Sequence, residues 1–139
     1  MFLIGIPLLI IPFALYNMIA FLLPGIAWSQ EITRIHMLSG AEWTFTPGEL
    51  LIGCSIILLF FEMLKATRLS TRTIIDHGLS TVIFIGMVVE FLLVKQAATG
   101  TFFLLLVISF VDVVGGFTIT IRTAQRDVTI EGSERIQAT

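Results

Sequence analysis

The chain has 139 residues, of which 56% are apolar and only 13% charged, with a formal net charge of -2. A soluble domain carries about 25% charged residues, so this composition excludes a water-soluble globular fold, and the near-neutral balance leaves no electrostatic footprint for nucleic acid. The single cysteine, Cys54, excludes an intrachain disulfide and a multi-thiolate metal site; its small apolar character predicts burial.

Four apolar segments, residues 2–23, 50–64, 74–94 and 102–121, occupy most of the chain. A helix needs about 20 residues to cross roughly 30 Å of hydrocarbon, and only a helix satisfies its own backbone there. The second segment reaches that length once residues 47–49 and 65–68 are added, because long charged side chains snorkel to the interface. The pattern predicts an all-α membrane protein: four transmembrane helices in a compact bundle within residues 1–123, over about 3–23, 47–67, 72–95 and 100–122. It adds a short amphipathic helix in the first outer loop and a flexible cytoplasmic tail over 124–139, a segment of charged and small polar residues with no core of its own.

The first segment differs from a signal peptide. No Lys or Arg precedes it, and its apolar run exceeds the ~7–15 residues of a signal core. Pro7 and Pro12 each remove a backbone donor, which predicts a kinked helix or one that starts after Pro7. Asn17 is the polar residue of this helix and a candidate for interhelical hydrogen bonding, worth on the order of 1 kcal/mol in a membrane.

In the following loop, Trp28, Ile32, Ile35 and Leu38 recur at spacings of four, three and three, with polar residues between them. That spacing predicts an amphipathic helix over about 28–38, lying on the outer surface with Trp28 and Trp43 as interfacial anchors. A connector resting on the membrane is the simpler role for it; a lid or docking surface is the functional one. Residues 42–45 are too short a run to classify. Thr46-Pro47-Gly48-Glu49 then reads as a capping box with proline in the first helical turn, which marks the start of the second helix.

Ionisable residues inside a bilayer are costly and mark functional candidates. Asp112 follows Thr99 by 13 residues and Glu62 follows Glu49 by 13, in helices of the same direction. At ~1.5 Å per residue both carboxyl groups lie about 20 Å below the outer edge, so contact between the second and fourth helices would pair them. Two carboxyls in a low-dielectric site cannot easily both ionise, an arrangement suited to binding a proton or cation. The milder account of Glu62 is a local ion pair with Lys65, three residues on. Ser109, Asp112, Gly115 and Gly116 share one side of the fourth helix, where small residues permit close helix approach. Packing glue and transport are both open for Asp112.

Asp76, Ser80, Ile83, Met87 and Glu90 form one stripe of the third helix. His77 is the intramembrane side chain whose unperturbed titration falls near neutrality. A proton path down this face is interrupted by Ile83 and Met87. Asp76, three residues after Thr73, is also read as part of the helix cap, and Glu90, with Lys95 a turn beyond, as an edge carboxylate. His36 and His77 fall on opposite sides of the membrane, which argues against bis-histidine haem ligation or a histidine metal site. The sequence contains no nucleophile elbow, Walker loop or HExxH motif. No cofactor, metal or enzymatic activity is expected.

Lys65, Arg68, Arg72, Arg122, Arg126 and Arg135 fall on one side of this topology, against Arg34 and Lys95 on the other, which predicts cytoplasmic termini in a cell inner (plasma) membrane. In size and helix count the chain resembles the small multidrug-resistance exporters, but where they carry a proton-binding glutamate in helix one it offers only Asn17. It is similar in length to the fluoride channels, without their pore pattern of aromatic and asparagine residues. Neither resemblance carries residues over. The sequence therefore suggests a multi-pass protein whose partners are the lipid bilayer and other membrane subunits or copies of itself. An accessory or structural role is favoured, and a small proton- or cation-coupled transporter or channel acting as a homo-oligomer is the alternative.

Overall fold

The computed structural model describes residues 5–138. Four helices run alternately up and down: α1 Ile10–Leu22, α2 Pro47–Ala66, α3 Thr71–Leu93 and α4 Gly100–Ala138. Contacts at both ends fix their directions. Gly48 meets Thr101 where α2 and α4 begin, Thr120 of α4 reaches the Ala66 carbonyl at the end of α2, and His77 near the start of α3 meets that same Thr120. The most extensive packing is between α2 and α4, then between α3 and α4.

Three of these helices, α2, α3 and α4, are long and apolar enough to cross a membrane. The fourth, α1, has 13 residues, a rise of about 20 Å, and is short of a span by itself. Leu3 and Ile4, where the sequence predicts its start, lie outside the described residues. The helix begins after Pro7, and Pro12 sits in its first turn, where a missing N–H removes no intrahelical bond. Pro7, Leu8 and Leu9 precede it as buried turn residues packed on the bundle.

The loop between α1 and α2 differs from the sequence expectation. In place of the amphipathic helix expected over 28–38, β1 (Thr33–His36) and β2 (Glu42–Phe45) form an antiparallel hairpin with Ile35 opposite Trp43. Gly40, at φ 87°, makes the reversal, a conformation that suits glycine. The three- and four-residue spacing of the apolar side chains mimics a helical period. What decides the structure is pairing with the second short run, which a local pattern does not register. Arg34 bridges Glu31 at 2.7 Å and Glu42 at 3.6 Å, but these pairs are exposed and contribute little. Thr46 and Glu49 form the reciprocal capping box that starts α2.

The tail is also corrected. Helix α4 continues without a break to Ala138, whereas the sequence suggests a flexible extension from 124; Thr139 lies outside the described residues. An established helix propagates without a new nucleation cost, and the segment contains no proline. Cys54, expected to be buried, is exposed on the outward face of α2, which in a membrane meets lipid.

Two layers fill the interior. Near the hairpin end Tyr16, Leu51, Met87, Ala97, Phe102 and Leu105 make an apolar core. Tyr16 stacks on Trp28 at 4.6 Å and meets Phe102 edge-on. Its hydroxyl donates to the Gln96 carbonyl at 2.7 Å and pairs with Thr99 Oγ1 at 2.7 Å, tying α1 to the turn before α4. Toward the opposite end, the layer where α2, α3 and α4 meet is polar.

Candidate functional site: a buried polar cluster

Glu62 and Lys65 come from the last turns of α2, Asp76, His77 and Ser80 from the first turns of α3, and Asp112, Gly116 and Thr120 from successive turns of α4. Glu62, Asp76 and Asp112 are each 1% exposed and His77 is 2% exposed. The Lys65 ammonium links three parts of the chain. It lies 2.9 Å from Asp76 Oδ2 and 3.2 Å from Glu62 Oε1, and donates at 2.9 Å to the carbonyl of Ile6, ahead of α1. Glu62 also accepts from the backbone N–H of Leu8. Glu62, Asp112 and Asp76 are close enough to interact electrostatically, so the two carboxyls that the sequence places at equal depth belong to one cluster.

Gly116 lets α3 pack closely on α4: a Cβ there would lie 2.6 Å from His77 Cε1, whereas one at Gly115 would meet only the flexible Met63 methyl, at 2.9 Å. Across the Gly116 surface, the imidazole Nε2 of His77 hydrogen-bonds Thr120 Oγ1 at 2.9 Å. The helix cap is Ser70, whose hydroxyl accepts from the Thr73 N–H, so Asp76 is free of the capping role considered for it and turns inward to Lys65.

Among the described residues, the buried side-chain polar atoms without a hydrogen-bond partner are Asp76 Oδ1, His77 Nδ1, Ser80 Oγ and both oxygens of Asp112. All five lie in this one cluster. Ser80 is near enough to Asp112 to interact with it, yet neither side chain completes a hydrogen bond of ordinary geometry. An unpaired buried polar group costs about 1–3 kcal/mol, and natural folds keep few of them outside functional sites. The arrangement can hold a proton or a small cation among acceptors, with one fixed ammonium offsetting part of the negative charge. No group of three or more His, Cys, Asp or Glu side chains among the described residues is placed to ligate a metal ion.

The other sequence candidates lie elsewhere. Asn17 Nδ2 donates to Phe13 O at 3.1 Å and to Glu90 Oε2 at 3.3 Å, joining α1 to α3 near the hairpin end. Ser109 is buried one turn before Asp112. Trp28 folds over Tyr16, while Trp43 is exposed on the hairpin and donates to Glu49 Oε1 at 3.3 Å. Sequence reasoning did not single out Thr120 or the reach of Lys65 to Asp76. The second was traceable: Lys65 and Asp76 flank one short helix-to-helix link, so they lie at similar depth.

Comparison of the chain with protein-family models, with curated proteins and with solved structures finds no match.

Proposed function

We propose that this chain is a four-span membrane protein, with both termini on the cytoplasmic side, that works as a small cation-coupled transporter or channel with Asp112 at its coupling site. The observation that carries this reading is the fully buried, unpartnered Asp112 carboxyl beside a Lys65-bridged pair of acids. Such groups in a membrane interior are retained where an ion or proton is handled. Support for the fourth span comes from both ends of the first segment: Ile6 contacts Lys65, and Tyr16 contacts Gln96 and Thr99 near the opposite end. Residues 5–22 together thus pass along the bundle. The basic residues clustered around the α2–α3 link and after α4 support a cytoplasmic location for that end.

Above the cluster, Leu51, Met87, Leu105 and Phe102 close the interior. A continuous path has to form by helix movement or at a seam between copies, which favours a homo-oligomer. The test is ion flux into sealed vesicles containing only the purified protein. Flux driven by a proton, sodium or potassium gradient supports the reading, and tight vesicles under all three gradients reject it.

A second reading, an accessory subunit of a larger membrane assembly, is supported by α4 itself. Its turns from Gln125 onward are exposed and offer surface to a partner. Gentle purification from the native membrane tests it: stoichiometric foreign subunits favour this role, and a homogeneous particle of one chain favours transport.

A further inference from the structure

We propose that the cation taken at this site is a proton, bound by the Asp112 carboxyl against the Ser80 hydroxyl and exchanged at the Lys65 end of the bundle. The proposal rests on the cation-coupling reading above and names its ligand. A carboxylate only accepts hydrogen bonds, whereas a carboxylic acid also donates one. One added proton therefore gives Asp112 a donor to direct at Ser80 Oγ and leaves its second oxygen free to accept from the Ser80 hydroxyl or from water. These are the unpartnered atoms at the α3–α4 contact.

A metal cation fits the same atoms poorly. It needs several ligands in one shell; the described side chains provide no such convergence, and Glu62 and Asp76 already accept from the Lys65 ammonium. A proton needs a single acceptor.

The charge surroundings are consistent with this. From α2, Glu62 and Lys65 face the site; from α3, Asp76 and His77 do; α4 adds no titratable group but Asp112 itself, and α1 none among its described residues. Three carboxyls stand against one ammonium among the described residues, and Lys65 is already shared between Glu62 and Asp76, so ionisation of Asp112 adds like charge to the site. In proton uptake a hydronium gives its proton to the Asp112 carboxylate, which becomes the acid, and is left as water; release is the reverse. The route is one-sided, because the Lys65 side chain retains 13% exposure while the Tyr16–Phe102 layer seals the other direction.

The test is infrared difference spectroscopy on the full chain in lipid, with aspartate isotopically labelled at its side-chain carboxyl. The chain has three aspartates, Asp76, Asp112 and Asp127, and Asp127 on the exposed part of α4 provides the solvated reference. Raising the pH from acid to alkaline is expected to remove a buried, aspartate-derived carboxylic acid band. That band should be absent in Asp112→Asn, displaced in frequency in Ser80→Ala, and unmoved by sodium or potassium at constant pH. Absence of such a band in the labelled wild type overturns the proposal, as does a band titrated away by sodium at fixed pH. Because the spectrum reports protonation without flux, a present band with no vesicle flux leaves the proton site standing and removes transport. Sodium or potassium flux without the band does the reverse.

Discussion

The Lys65 ammonium lies 2.9 Å from the Asp76 carboxylate and so joins the end of α2 to the start of α3, with Glu62 and the Ile6 carbonyl on the same nitrogen. This is a buried network whose partners are taken from water together, and breaking one side leaves uncompensated charge. Lys65→Met is predicted to destabilise the protein by about 3–5 kcal/mol, the usual cost of orphaning a buried ion pair. The triple change Lys65→Met, Glu62→Gln, Asp76→Asn should recover much of that loss. Thermal unfolding in detergent reads both, and equal loss in the single and triple variants would show that the ammonium does not stabilise through its charge.

Gly116 lets the His77 ring lie directly on the α4 backbone. Gly116→Ala places a methyl group 2.6 Å from His77 Cε1, so the ring must move and its bond to Thr120 is lost. A penalty of about 1–3 kcal/mol follows from overpacking. In a double-mutant cycle, His77→Ala should relieve the Gly116→Ala penalty; strict additivity would argue against this contact.

At the hairpin end, Tyr16→Phe removes the hydrogen bonds to Gln96 and Thr99 and keeps the stack on Trp28. Its expected cost is about 0.5–1.5 kcal/mol, while Tyr16→Ala, which empties the buried layer, should cost about 3–5 kcal/mol. Unfolding midpoints that rank the two variants in the opposite order would contradict this packing.

Cysteine accessibility maps the topology. In a Cys54→Ala background, Ile6→Cys and Ser133→Cys should label with an impermeant maleimide only after the cytoplasmic face is opened, and Ser39→Cys should label from outside in intact cells. Labelling of Ile6→Cys from outside would mean that the first segment does not cross.

The sequence showed some of these relationships directly. Thr46 and Glu49 announce the start of α2 because a capping box is local, and the equal offsets of Glu62 and Asp112 place them at one depth because helical rise is constant. Other features depend on which faces meet. The hairpin hides behind a helical apolar spacing until Ile35 is paired with Trp43. His77, Gly116 and Thr120 look unrelated until α3 is laid on α4, since 43 residues separate His77 from Thr120. The continuation of α4 to Ala138 goes against composition alone, because a polar segment extends a helix that its own sequence would not nucleate.

Asp112 is the proposed coupling group, and gradient-driven flux in vesicles containing wild type, Asp112→Asn or Asp112→Glu decides whether it is one. Asp112→Asn is expected to fold with an unfolding midpoint close to wild type and to lose flux at least tenfold, a barrier difference of about 1.4 kcal/mol, while Asp112→Glu retains part of it. Wild-type flux in a stable Asp112→Asn protein would rule out coupling at Asp112 and return it to a packing role.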